Sequence, residues 1–243
     1  MQARGLAAAF RSADVHNAIR SSSRRGIAVS VIQWANYASQ RVSVGWTLLR
    51  GEADALWIAA RIASMPRQFD GGHTALGDAL VFAMRELESN RFEGLRRVID
   101  ISGDGRNNDG YPLRAGREEV IRRGITINGL AILNELPLLD DYFRDHVVGG
   151  EGAFFMVAQD YPDFADAIVH KLVREISALP LSRNDVPKPV YEGPAQVLPV
   201  VFRRRAKLLD RPFFEWQSSA LCVPPLGCAV RSRGDPQAKR SAA

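Results

Sequence analysis

Cysteine is nearly missing from this chain: two in 243 residues, Cys222 and Cys228, both close to the carboxyl end. Their spacing fits neither a CxxC metal pair nor a dithiol redox motif, which removes zinc-ribbon and thioredoxin-like chemistry. A small disulfide and two free thiols both remain open, so cysteine does not decide the compartment. Histidine is scarce as well, and His16, His73, His146 and His170 show no HExxH spacing. No apolar run approaches the length of a membrane span. The amino-terminal stretch Met1–Arg11 has too short an apolar run for a signal peptide, and Arg11, Asp14 and His16 follow at once. There is no G-x-x-x-x-G-K-[ST], and Gly71-Gly72 do not continue as GxGxxG. Ser102 sits in Ile-Ser-Gly rather than in the GxSxG elbow of an α/β-hydrolase. Asp100 and Asp104 are four apart, which is not the DxD spacing of an aspartyl phosphatase.

What is present is unevenly spread. The formal charge of +5 comes from the end of the chain, where residues 180–243 hold 11 Lys and Arg against 5 Asp and Glu. Nine of the 13 prolines fall in the same stretch. We therefore divide the chain into a domain over residues 1–180 and a basic, proline-rich tail over 181–243, expected to be disordered by composition. Arg203-Arg204-Arg205 with Lys207 make a basic cluster, but no recognition fold surrounds it, and no specific nucleic-acid partner is expected. Hydrophobic content of 46% is ample for one α/β core.

Along the chain, a helix to about Arg20, broken over Ser12–Asn17, comes first. Residues 26–34 and 40–49 alternate as strands with a short connection, an antiparallel hairpin. Ala53–Met65 carries a helical stripe of Ala55, Ile58, Ile62 and Met65. Thr74 is suited to cap the helix that follows, with Leu76, Leu80, Ala83 and Leu87 inward. A strand at Val98, a helix begun by Pro112 and ended by Gly124, and a strand over Ile125–Leu133 come next. A short helix over Leu139–His146, a strand over Ala153–Ala158 and a helix capped by Asp160 complete the order. Strand and helix alternate from Ser102 onward, which argues for parallel, right-handed crossovers.

One stretch organises the rest. Arg97-Val98-Ile99-Asp100-Ile101-Ser102-Gly103-Asp104-Gly105 opens as a β-branched run suited to a buried parallel strand. It then breaks into Gly, Asp and Asn, including Asn107, Asn108 and Asp109. Such residues also build ordinary turns. Open α/β sheets bind ligands outside the carboxyl ends of their strands, which makes Asp104 the first candidate. With Thr74 it offers hard oxygen donors of the kind that suit Mg²⁺ or Mn²⁺ rather than zinc, with Ser102, Asp70 and Asp109 as accessory candidates.

The order hairpin, helix, Gly-Gly-His-Thr-Ala-Leu-Gly-Asp-Ala-Leu, Arg-Val-Ile-Asp-Ile-Ser-Gly-Asp-Gly, helix, Ile-Thr-Ile-Asn-Gly-Leu-Ala-Ile-Leu resembles a von Willebrand factor A domain. More narrowly it resembles the bacterial domain of unknown function 1194 family. Phe92-Glu93-Gly94-Leu95-Arg96 leading into Arg97–Gly105, Val147-Val148-Gly149-Gly150 and Lys171-Leu172-Val173-Arg174-Glu175-Ile176 carry that resemblance, over about residues 3 to 180. It implies a Rossmann-like, mostly parallel sheet with helices on both faces. It also implies a metal-ion-dependent adhesion site, in which Thr74 and Asp104 fall on the family's threonine and second aspartate. Such domains begin with a central strand ending in Asp-x-Ser-x-Ser, and this chain has no such motif. The first central strand is therefore expected to be missing, the metal site to be degenerate, and ion binding to be weak or absent. Ala195–Phe202 is the one segment that could fill the gap. The function implied is protein binding, not catalysis, with a partner the sequence does not identify. A hydrolase or phosphate-handling enzyme using Asp104, and an inactive fragment, are the alternatives. If the true start lies upstream, a periplasmic or secreted location is implied.

Overall fold

A computed structural model of the chain describes residues 1–22, 26–69, 72–134, 136–177 and 196–203. The β-branched runs become strands: β1 (Ile27–Trp34), β2 (Gln40–Leu49), β3 (Val98–Gly103), β4 (Thr126–Ile132), β5 (Phe155–Ala158) and β6 (Gln196–Arg203). Every residue of β1, β3 and β4 is buried, as expected for strands covered on both faces. The helices are α1 (Gln2–Ala9), α2 (Ala13–Ser22), α3 (Glu52–Ser64), α4 (Leu76–Ser89), α5 (Leu113–Arg122), α6 (Leu139–Tyr142), which runs on into a π-helical turn over Phe143–Val147, and α7 (Phe164–Ser177). The amino-terminal break falls at Phe10–Ser12, where Ser12 accepts from Val15 N–H, so Asn17 lies inside α2.

The six strands form one sheet in the order β2-β1-β6-β3-β4-β5. β1 and β2 make the expected antiparallel hairpin, with register shifts around Val31, and the other pairings are parallel. Period-2 alternation sends side chains into two layers. Val29, Val31, Val98, Leu130 and Ile132 face Leu6, Ile19, Ile58, Phe164 and Leu172 of α1, α2, α3 and α7, with Phe10 from the α1–α2 break. Ile32, Ile99, Ile101 and Ile127 face Leu76, Leu80, Leu87, Val120 and Phe143 on the opposite side.

One expectation is corrected: the centre of the sheet is not vacant. β6 lies between β1 and β3, in register from Gln196 opposite Ile27 to Arg203 opposite Trp34, and beside β3 at Val200–Asp100 through Phe202–Ser102. Val200 is 1% exposed and joins the α7-side core. The physical reason is the backbone's need for partners: with no strand here, the facing N–H and C=O groups of β1 and β3 would be buried unpaired. Pro199 opposite Ser30 can donate nothing to that ladder, which is why the run reads poorly as a central strand. The rest of the tail, with Cys222, Cys228 and Arg204, Arg205 and Lys207, lies outside the described residues.

One polar cluster is sealed inside. Asp100 on β3, Lys171 and Glu175 on α7, and Asn128 on β4 are all buried. Lys171 Nζ donates to Asp100 Oδ1, and Asn128 Nδ2 donates to Glu175 Oε1 at 2.8 Å. Burial pushes the Glu175 carboxyl above its ordinary value of 4.5, opposed by the Lys171 charge and reinforced by that of Asp100.

A carboxyl with a raised pKa holds its proton more tightly in the folded chain than in the unfolded one. Its contribution is fully present below about 4.5 and is lost as pH climbs to the folded value. Urea unfolding across a pH series should therefore show Glu175→Gln gaining on the parent chain as pH rises above that point; parallel curves would contradict it. Ending the chain after Ala195 should abolish the cooperative melt. Each buried backbone group left unpaired costs about 1–3 kcal/mol, against a typical margin of about 5–15 kcal/mol. Ending it after Lys207, where the compact unit that holds the sheet stops, should leave the melt intact.

Candidate functional site

At the carboxyl end of β3 the chain leaves the sheet through Gly103 and enters the loop 104–112. Asp104, first in that loop, is only 4% exposed, and its Oδ2 accepts from Tyr161 Oη at 2.6 Å. Ser102, one turn of the pleat earlier, is fully buried, and its Oγ has no hydrogen-bond partner among the described residues. It faces the α7 layer with Asp100, two residues before it, and not the loops.

The two asparagines do the joining. Asn108 Oδ1 accepts from Thr74 N–H at 2.7 Å, and Asn108 N–H donates to Thr74 O at 3.0 Å. Asn107 Oδ1 accepts from Gly77 N–H at 3.0 Å, in the first turn of α4. That corrects the assignment of Thr74 as the helix cap: the N-cap position is Ala75, no side chain of its own caps α4, and the partner arrives from another loop. Thr74 is 2% exposed, and Ala75 N–H donates to Ala35 O at 2.9 Å, which ties the same corner to the end of β1. The Thr74 and Asp104 loops are thus held against each other through Asn107 and Asn108. The sequence signal for this is the Asn-Asn pair, whose residue types also build ordinary turns.

Asp109 is spent on the loop. Its Oδ2 accepts from Tyr37 N–H at 3.0 Å and its Oδ1 from Gly110 N–H at 2.9 Å. Gly110 has φ +68, and a Cβ there would stand 2.0 Å from Asp78 Oδ2, so no other residue fits without rebuilding. Asp78 Oδ2 in turn accepts from Tyr111 N–H at 2.5 Å. Asn107 N–H donates to Tyr142 Oη at 3.2 Å, and the Arg106 guanidinium lies 5.4 Å from the Tyr142 ring centroid. Burial pushes the Tyr142 hydroxyl above its usual value. His73 is exposed beside Thr74. Asp70 lies outside the described residues.

The donor set falls short of what a hard divalent cation requires. Mg²⁺ asks for near-octahedral oxygen coordination at close range. Thr74 and Asp104 supply two side chains, one Asp104 oxygen is engaged by Tyr161, and Asp109 is committed to backbone N–H groups. Among the described residues no three His, Cys, Asp or Glu stand together as a metal cluster. These residues do not fit a complete adhesion-site ion.

Calorimetric titration of the whole chain with Mg²⁺ or Mn²⁺ should accordingly show no saturable micromolar binding. Thr74→Ala should leave the response of the melting temperature to millimolar Mg²⁺ unchanged, since a ligand stabilises only in proportion to its occupancy of the folded state. A tight, Thr74-dependent isotherm would mean that further ligands exist. Asn108→Ala, which unpairs the Thr74 amide, should cost on the order of 1 kcal/mol and raise amide exchange at both loops.

No curated protein matches the chain. Among solved structures, proximal thread matrix protein 1 from the mussel byssus is 14% identical, with a TM-score of 0.44, over 61% of this chain and 36% of that one. The SpRpn10 VWA domain is 16% identical, with a TM-score of 0.46, over 71% of this chain and 82% of that one. The chain therefore spans little more than a third of the byssus protein. Residues 1–180 match the family described as "Protein of unknown function (DUF1194)", and this chain belongs to it.

Proposed function

We propose that this domain is a protein-binding module of the von Willebrand A-like kind, using the loops at the carboxyl edge of its sheet without a bound ion. The observation that carries the reading is a pair of exposed tyrosines on that edge. Tyr37 in the β1–β2 connection is 63% exposed, and Tyr111 ahead of α5 is 47% exposed. Both backbones are pinned, Tyr37 by Asp109 and Tyr111 by Asp78, so the rings are held out on rigid loops.

Between them runs a groove of about 610 Å³ bounded also by Asp78, Phe82, Arg85 and Arg123. Arg123 is already bonded to Glu88 and Glu119, which among the described residues leaves Arg85 as the cation on that wall. Aromatic anchors beside an arginine, on backbone that does not need ordering, are what protein interfaces use for most of their affinity. Catalysis has less support: the Asp104 carboxylate is buried and accepts from Tyr161 Oη.

The test is a photo-crosslinking residue placed at Tyr37 or Tyr111 in the whole chain, with Trp57 of α3, itself 52% exposed, as the control position. Crosslinks to a defined partner should form from the first two and not from the third. Tyr37→Ala with Tyr111→Ala should weaken binding of that partner at least tenfold, about 1.4 kcal/mol, and leave the melting temperature unchanged. Equal crosslinking from Trp57, or unaltered affinity in the double variant, would overturn the reading.

A further inference from the structure

Three ionisable side chains meet where solvent does not reach. Asp100 projects from β3, and Lys171 and Glu175 lie one turn apart on α7; none is more than 1% exposed. Lys171 Nζ is in direct contact with Asp100 Oδ1 and stands 3.7 Å from Glu175 Oε2. The Phe154 ring lies 5.5 Å from Nζ, measured to its centroid, and makes one wall apolar. Asn128 Nδ2 holds Glu175 Oε1, while Asp100 Oδ2 and Glu175 Oε2 have no hydrogen-bond partner among the described residues.

As an ion pair this arrangement is expensive. Removing two charges from water costs several kcal/mol each, and is recovered only when further hydrogen bonds complete the pair. Here one oxygen of each carboxyl is left without one. Burial also favours the neutral acid form of Glu175. An amine touching a carboxyl, beside a second carboxyl able to give and take a proton, is the reactant set of an amide condensation.

We propose that Lys171 and Asp100 join in an intramolecular isopeptide bond between Nζ and Cγ, with Glu175 as the proton carrier. Within the pair, the ammonium first passes a proton to the Asp100 carboxylate, giving a neutral amine and a neutral acid. The Nζ lone pair attacks Cγ, the C=O π electrons move onto that oxygen, and Glu175 donates its proton there. Glu175 then takes a proton from the now positive nitrogen. It returns that proton to a hydroxyl on Cγ, which departs as water when the C–O bond breaks. The remaining hydroxyl gives its proton back to Glu175 as the carbonyl re-forms. One ammonium and one carboxylate become one secondary amide and one water, Glu175 ends as it began, and no oxidant or reductant is needed. Held contact of this kind is equivalent to effective molarities of about 10⁵–10⁸ M, which offsets the sluggishness of condensation in water. The product replaces two buried charges with one neutral amide and ties α7 covalently to the middle of the sheet.

The experiment is mass spectrometry of the denatured full chain. The expected mass is lower than that of the sequence by one water, and trypsin should release a branched peptide joining Val98–Arg106 to Asp145–Arg174 through an uncleaved Lys171. The Asp-Gly pairs Asp70-Gly71, Asp104-Gly105 and Asp109-Gly110 can also lose water, as succinimides. Mild base reopens those and leaves a secondary amide intact. Asp100→Asn should give the same branched peptide by losing ammonia instead, and Glu175→Gln should leave the chain unlinked. A parent chain of full sequence mass, or a water loss confined to an Asp-Gly pair, overturns the proposal. Linkage that persists in Glu175→Gln removes Glu175 from it.

Discussion

The hydrogen bonds that β1 and β3 make to whatever lies between them decide whether this domain exists. Both strands are buried on both faces, so neither can turn its inner edge to water. The layers above and below are built across that junction. α3 rests on the β1–β2 side, while α4, α5 and α7 reach over β3 and β4. A strand in the middle converts two half-sheets into one surface wide enough to support them. β6 does this with eight residues, one of them proline, supplied from beyond the point where the family match ends. It is bonded along its whole length to β1 but only over Asp100–Ser102 to β3. The weaker seam is therefore on the β3 side, and that is where α7 clamps the sheet with Lys171.

The alternating strands and striped helices were legible because each follows a period that burial enforces. Val98–Gly103 and Thr126–Ile132 could hardly be anything but buried strands, and the 3.6-residue stripe of Phe164, Ile168, Leu172 and Ile176 has one reading. β6 was harder for a physical reason. A segment following a long proline-rich connection carries no signal of where its partners are, and Pro199 argues locally against a central place. Tertiary demand overrode that preference: the place between β1 and β3 is taken by β6, which overlaps the Ala195–Phe202 run.

The site was legible as a place but not as a construction. Asp104 and Thr74 stand at adjoining loops, as a carboxyl-edge crevice predicts. What joins those loops is Asn107 and Asn108, reaching 30 and 34 residues back to Gly77 and Thr74. Nothing in local spacing separates an asparagine that bends its own turn from one that caps a distant helix. The same limit explains Asp109 and Asp78, which look like free carboxylates in sequence and serve as acceptors for the amides of Tyr37 and Tyr111.

That use of side chains has a consequence for what the edge can do. Each acidic or amide group near the loops that is engaged by backbone N–H has given up lone pairs that an ion would need. It has also fixed the conformation of a loop that would otherwise have to be ordered on binding. Ligand capacity and rigidity draw on the same oxygens, and in this chain they have gone to rigidity. The charges of the Asp100–Lys171–Glu175 cluster lie inside, where no partner can reach them. A surface of pinned loops carrying tyrosines can recognise a preformed partner by shape and aromatic contact, whereas one of vacant carboxylates would have waited for a cation. The division of polar groups between a rigid rim and a sealed interior supports the proposed recognition at the edge and leaves structural work to the interior.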